Sequence, residues 1–342
     1  MTSSAFEQAI DLFEQSNSFV LTTHVNPDGD GLGSEIALAE WLSSQAKSVH
    51  IINYSATPEI YLFLDSHDRI ERYDPSRDNP LLAAADVIVI LDTNQPERLR
   101  NMQQPVLDSR ATKLVIDHHL EPHPFADHYL IDADATSTGE IMYRLLSRLS
   151  HESLTPLVAQ NLYCAIMTDT GSFRYPRVDS DIHRMVADLI DRGADPVSIY
   201  SNVYERWSNG RIHLLGEMLA GLQTSEGGMI ATVSVTQDML RRTGTAEVDT
   251  DNFTVYPMSV QGVLIGILLL ELKDGIKLSV RSRGEIPINE LAKEFGGNGH
   301  LNAAGARLYG VSLEEVRSAV VRAAARYLSA YSPITPIRHD TA

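Results

Sequence analysis

Thr22-Thr23-His24-Val25-Asn26-Pro27-Asp28-Gly29-Asp30-Gly31-Leu32-Gly33-Ser34 lies between two segments of different periodicity. Before it, Phe19-Val20-Leu21 is an apolar run that reads as a buried strand. After it, residues 35–42 repeat their apolar positions at helical spacing. A strand, a glycine-rich turn and a helix open an α/β sheet, in which ligands gather at the carboxyl ends of the strands. The turn carries one imidazole and two carboxylates in the spacing H-x-x-x-D-x-D. Its glycines are expected to allow unusual backbone angles, so that side chains close in sequence point at one centre. Asp28 and Asp30 would repel unless a cation or a proton lay between them. Taken alone, such a turn serves equally well as a helix cap.

The pattern continues outward. Residues 86–91 form a β-branched run typical of a strand covered on both faces, and it ends in Asp92-Thr93. Lys113-Leu114-Val115-Ile116 ends in Asp117-His118-His119, and a helical pattern over 154–167 runs into Asp169-Thr170-Gly171. With helices over 6–15 and 139–149 and a strand over 49–52, this alternation implies a mostly parallel sheet with helices on both faces. Residues 179–222 read as helical, with breaks at Gly193-Ala194-Asp195-Pro196 and Asn209-Gly210. Strands over 229–235, 262–272 and 276–281 and helices over 288–295 and 313–327 then suggest a smaller α/β domain. The expected organisation is a catalytic domain over 1–195, a helical connector over 196–222, a substrate-binding domain over 223–331 and a disordered polar tail over 332–342. The active-site cleft would lie between the domains.

A chain of 342 residues is long enough for two domains, at roughly 100–200 residues each. A formal net charge of −17 argues against an electrostatic grip on long duplexes or anionic membranes. It leaves room for a small phosphorylated substrate whose charge is met by a metal ion. Cys164 is the single cysteine, which precludes an intrachain disulfide; its apolar setting reads as packing. The first residues show no leader pattern. Residues 263–270, the longest apolar run, fall well short of the ~20 needed to span a membrane. A cytoplasmic location is expected.

Four segments therefore place His24, Asp28, Asp30, Asp92, Asp117, His118, His119 and Asp169 just beyond an apolar element. One strand-end aspartate commonly caps a helix; four such placements at one sheet edge suggest a common site. Oxygen donors mixed with imidazole, without thiolate, suit Mn²⁺ or Mg²⁺ better than Zn²⁺. So many carboxylates suggest two divalent ions at ~3.5–4 Å, an arrangement suited to hydrolysis of phosphate esters. In the second half, the glycine run Gly296-Gly297-Asn298-Gly299-His300 and the nearby Arg281-Ser282-Arg283 are candidates for binding phosphate. Arg174 is a further candidate. His123 and His128 lie in a Pro-rich loop and read as exposed, His50, His67, His151, His183 and His213 as structural, and Trp41 and Trp207 as packing residues.

His24-x-x-x-Asp28-x-Asp30, Leu91-Asp92-Thr93, Asp117-His118-His119 and Asp169-Thr170-Gly171 resemble, in order, the four motifs of the DHH phosphoesterases. Residues 295–305, Phe-Gly-Gly-Asn-Gly-His-Leu-Asn-Ala-Ala-Gly, resemble the glycine-rich motif of the DHH-associated C-terminal domain, with Asn298 where a glycine is expected. The resemblance spans most of the chain and is strongest to the oligoribonuclease and pAp-phosphatase branch. It implies that His24 and Asp28 hold one ion, that Asp30, His118 and Asp169 hold the other, and that Asp92 bridges them. His119 would sit beside the substrate phosphate, and Asp117 would orient a motif histidine. Arg281, Arg283, Gly297, Gly299, His300 and Arg174 would bind substrate. Two Mn²⁺ ions are expected, with Mg²⁺ as the alternative. The implied substrates are short RNA, pApA and pAp; from the net charge, long duplexes and membranes are not expected as partners, and a homodimer is one expected assembly. The competing expectations are a cyclic di-AMP or polyphosphate/pyrophosphate hydrolase and, in another class, an inactive nucleotide-binding regulator.

Overall fold

Six strands build the first sheet: β1 (Ser18–Thr22), β2 (Ser48–Asn53), β3 (Ile70–Arg72), β4 (Val87–Leu91), β5 (Thr112–Asp117) and β6 (His128–Ile131). They lie in the order β3-β2-β1-β4-β5-β6, and every neighbouring pair is parallel. This is a doubly wound sheet. Its strand order reverses between β1 and β4, which opens a crevice at their carboxyl ends. The computed structural model describes residues 3–149 and 153–331. The chain divides into two units, Met1–Arg206 and Trp207–Ala342. The tail expected over 332–342, like His151, lies outside the described residues.

The helices of the first unit are α1 (Ser3–Gln15), α2 (Gly29–Ser44), α3 (Pro75–Ala84), α4 (Gln103–Asp108), α5 (Thr138–Leu149), α6 (Pro156–Asp169), α7 (Ser180–Asp191) and α8 (Pro196–Tyr204). Alternation along β4 serves both faces of the sheet. Val87, Val89 and Leu91 pack with Ile36, Leu145 and Ile166, whereas Ile88 and Ile90 pack with Leu82, Leu99 and Val106. Cys164 and Trp41 are buried in the first of these cores.

Helix α2 corrects the reading of the glycine stretch. It begins at Gly29, so Asp30, Gly31 and Gly33 are helical, and Asp28 is its N-cap. Positive φ in this region belongs to Asn26 (φ 55°), not to the glycines. What the glycines supply is the absence of a Cβ. One added at Gly33 would lie 2.4 Å from the Asn161 carbonyl oxygen of α6, and one at Gly31 would lie 2.5 Å from Thr23 Oγ1.

The second unit contains α9 (Asn209–Ala220), β7 (Gln223–Ser225), β8 (Ile230–Val235), α10 (Gln237–Thr243), β9 (Ile265–Glu271), β10 (Gly275–Ser282), α11 (Ile288–Glu294), β11 (Asn298–His300), β12 (Ala303–Tyr309) and α12 (Leu313–Tyr331). The strand order is β11-β12-β10-β9-β8-β7, with β8 and β9 parallel and the remaining pairs antiparallel. Ile276, Leu278 and Val280 pack with Leu291 and Val320 on one face, and Val233, Leu268 and Leu270 with Leu214, Met218 and Phe253 on the other. Trp207 stacks near Arg211 and Phe253. The glycine run expected to be a phosphate loop is instead largely strand, since β11 pairs with β12 as a hairpin. A Cβ at Gly297 would lie 2.1 Å from the Gly305 carbonyl oxygen, so the small residue permits this close approach. No helix among the described residues is long and apolar enough to cross a membrane.

Candidate metal centre

The carboxyl ends of β1, β4 and β5 converge through a set of polar ties. Thr23 N donates to Asn53 Oδ1 (3.0 Å) at the end of β2, and Thr23 Oγ1 donates to the Leu91 carbonyl (2.8 Å) at the end of β4. Asn53 Nδ2 in turn donates to Glu35 Oε2 at 2.8 Å. Beyond these anchors, the Val25 N–H donates to the Arg98 carbonyl at 2.8 Å, fixing the segment that carries His24. His24 Nδ1 lies 2.9 Å from the Val25 carbonyl, which places the ring proton on Nδ1 and a lone pair on Nε2. That Nε2 is 3.2 Å from Asp92 Oδ2 and 3.9 Å from Asp28 Oδ2. Asp28 reaches the site with Oδ2 because Oδ1 accepts from the N–H groups of Asp30 (3.0 Å) and Gly31 (3.3 Å) as the α2 cap.

Asp30 and Asp92 are buried. Asp92 follows β4 with φ 59°, a left-handed conformation that Asp tolerates better than most residues. Its Oδ1 accepts from Thr138 Oγ1 at 3.2 Å. Asp30 accepts from two backbone N–H groups at the start of α5, Thr138 N (2.7 Å) and Gly139 N (2.8 Å). The amino end of α5 thus aims its dipole at the acidic cluster. Sequence patterning alone does not single out Ser137, Thr138 or Gly139 as part of the site. The clue to their wider role was a run of hydroxyl residues and a glycine before an apolar helix.

From β5, His118 Nε2 lies 3.2 Å from Asp169 Oδ2, 3.7 Å from Asp92 Oδ1 and 3.8 Å from Asp30 Oδ2. Asp169 is the last residue of α6. Asp117 Oδ1 accepts from His119 Nδ1 (2.8 Å) and from the N–H groups of His118 (2.8 Å) and His119 (3.2 Å). Asp117 Oδ2 is buried with no hydrogen-bond partner. Asn94, buried after β4, donates to the His119 carbonyl at 2.9 Å and holds the loop in place.

Burial sets the electrostatics. It pushes the Asp30 and Asp92 carboxyls well above their usual range, and neighbouring carboxylates add to the effect. Burial and Asp28 push Asp169 up to about 7. The imidazoles move the other way: burial lowers His24, and burial with the adjacent His119 lowers His118 to about 4. Among the described residues, no lysine or arginine is ion-paired with Asp30, Asp92 or Asp169; Arg98 acts on Asp92 through its field. Crowded carboxylates beside neutral imidazoles form a donor set that lacks positive charge, which is what divalent cations supply. Donor atoms of His24, Asp28 and Asp92 lie within 4.8 Å of one another. The same holds for Asp30, His118 and Asp169, and for Asp92, Asp117, His118 and His119. The residues fit divalent ions with oxygen and nitrogen ligands.

The remaining candidates are placed as follows. Arg174 is exposed and donates through Nε to the Gly171 carbonyl at 2.7 Å. In the second unit, Arg281 and Gly297 line one groove. Arg283 is exposed and donates to the Met258 carbonyl at 2.7 Å. Gly299 and His300 lie on the exposed edge strand β11. His123 is exposed, whereas His128 is half-buried at the start of β6, because the Pro-rich loop ends sooner than expected.

The chain is similar to known proteins over most of its length. Residues 18–166 match the DHH family, N-terminal domain, and residues 242–330 match the DHHA1 domain. The chain is 29% identical over 303 residues to the bifunctional oligoribonuclease and PAP phosphatase NrnA of Thermus thermophilus, covering 89% of this chain and 88% of that protein. It is 29% identical over 296 residues to the protein of the same description from Bacillus subtilis, covering 86% and 90%. The crystal structure of an exopolyphosphatase-related protein from Bacteroides fragilis superposes with a TM-score of 0.89 at 32% identity, covering 97% of both chains.

Proposed function

The chain belongs to the DHH family, and from that premise we propose that it hydrolyses short oligoribonucleotides such as pApA to mononucleotides and removes the 3′-phosphate of pAp. The observation that carries this reading is the meeting of His24, Asp28, Asp30, Asp92, His118 and Asp169, from four separate segments, around one crevice. His24 and Asp28 would hold one divalent ion, Asp30, His118 and Asp169 the other, and Asp92 would serve both. Mn²⁺ suits the donors best, with Mg²⁺ as the alternative. Such ions, when bound, place positive charge on phosphoryl oxygens and make water acidic enough to attack near neutral pH.

The chain's own residues prepare the site for that chemistry. The bond from His24 Nδ1 to the Val25 carbonyl selects the tautomer whose Nε2 can act as a donor to a cation. With its pKa near 4, His118 is neutral at physiological pH and equally able to ligate. Asp117 grips His119 at Nδ1, so Nε2 is the ring atom that would hold a proton toward the leaving oxygen. In the second unit, Arg281, Gly297, Gly299 and His300 would hold a second phosphate of the substrate. Arg283 and Arg174 each engage one backbone carbonyl, which does not exhaust the five donors of a guanidinium.

The test is a substrate panel with the purified chain and Mn²⁺: pApA, pAp, cyclic di-AMP and pyrophosphate. Turnover of pApA and pAp should exceed that of the other two by at least about tenfold, a difference of ~1.4 kcal/mol in transition-state binding. A preference for pyrophosphate would overturn the assignment.

A further inference from the structure

In the β10–β12 ladder, Ile276, Leu278, Val280, Ala304 and Ala306 face α11 and α12. Strand alternation turns Lys277, Ser279, Arg281, Gly305 and Arg307 to the opposite face. They line a groove of about 440 Å³ whose floor is kept low by Ser279 and Gly305. One end of the groove has Arg281 and Gly297, already proposed to hold a substrate phosphate. The other end has Lys277 and Arg307, directly opposite one another in the ladder. Arg281 lies four positions beyond Lys277, about 13 Å along the extended strand. With Lys277 and Arg307 tied together at one end by Glu247, the two ends suit two different phosphates.

The second cationic end is guarded. Glu247 Oε1 accepts from Lys277 Nζ at 3.0 Å and also from Arg307 Nη2. One carboxylate thus occupies both cations, and none of the three side chains is fully buried. Asp251 feels the Lys277 charge as well, but of the acids in this segment Glu247 is the one bonded to both bases.

We propose that Lys277 and Arg307 form a second phosphate subsite and that Glu247, by competing for it, sets how long an oligonucleotide the enzyme prefers. The inference rests on the phosphoesterase reading above. A dinucleotide anchored at Arg281 does not reach the guarded end. A longer strand does, and the phosphate that arrives there must displace the Glu247 carboxylate to form two charge-assisted hydrogen bonds of its own. An ion triad that merely fastened residue 247 to the sheet would have no bearing on substrate length.

The test measures kcat/KM of the full chain with Mn²⁺ on pApA and on a five-nucleotide oligoadenylate, and reads their ratio. Glu247→Gln should shift the ratio toward the pentamer by roughly three- to tenfold, the worth of one or two part-exposed charged hydrogen bonds. Lys277→Gln combined with Arg307→Gln should shift it toward the dinucleotide by a similar factor. The double variant should also make pentamer binding less steeply dependent on salt, by a slope of roughly 0.7 for each phosphate that the protein no longer neutralises. Circular dichroism checks the fold of each variant, and either arm alone decides if the other fails to fold. An unchanged ratio, or shifts in the same direction in both variants, would overturn the proposal. Should the unaltered chain turn over neither substrate, the phosphoesterase reading itself fails, and the subsite proposal with it.

Discussion

Glu35 is wholly buried in α2, with Oε2 bonded to Asn53 and Oε1 without a hydrogen-bond partner. Burial pushes its carboxyl up to about 8, against the opposing hydrogen bond from Asn53. Because the folded state binds this proton more tightly than the unfolded state, no stability is lost below the unfolded pKa of 4.5. As pH rises from there to about 8, the folded state gives up the advantage progressively. Glu35→Gln keeps the amide contact without the charge, so urea denaturation should show a flatter decline in stability between pH 5 and about 8 than in the unaltered chain. Identical pH profiles would contradict the assignment. At this scale, the sequence exposed residues whose chemistry is visible in their type. His24, Asp92, His118 and Asp169 are imidazoles and carboxylates at the ends of apolar runs. The contribution of Thr138 and Gly139 was not legible in the same way, because it is made largely by backbone N–H groups, which every residue except proline carries.

Helix α2 is the element on which the first unit is built, and its glycines show where pattern reading misleads. A glycine cluster beside a strand suggested a turn with unusual backbone angles, yet the backbone there is helical, and the missing side chains let α6 and Thr23 come close. The sign of one substitution separates the two interpretations. On helix propensity alone, Gly33→Ala would stabilise by up to ~1 kcal/mol. Contact with the Asn161 carbonyl, a backbone atom that cannot rotate away, should instead cost about 1–3 kcal/mol in urea denaturation. A variant as stable as the parent would refute the packing account. Long apolar elements such as β4 and β9 were legible because burial on both faces imposes an unbroken apolar run. Strands β3, β7 and β11, three residues each, are too short to show any period. β11 was further masked by glycines that serve the hairpin.

For the molecule as a whole, alternation of strand and helix sufficed to predict a parallel sheet. The strand order β3-β2-β1-β4-β5-β6 is a matter of long-range pairing that no local pattern encodes. That order makes β1 and β4 neighbours, and so sets His24 against Asp92 although 68 residues separate them along the chain. A chain carrying a net charge of −17 tolerates this cluster of buried carboxylates most readily if cations complete it. Counting those cations is the direct test. Native mass spectrometry with Mn²⁺ should find two ions per unaltered chain. Asp92→Asn, which keeps the size of the side chain and its tolerance for a left-handed backbone, should stay folded by circular dichroism yet lose at least one ion and its turnover of pApA. An unaltered chain that binds no Mn²⁺, or a folded Asp92→Asn chain that still holds two ions and turns over at the parent rate, would contradict the account.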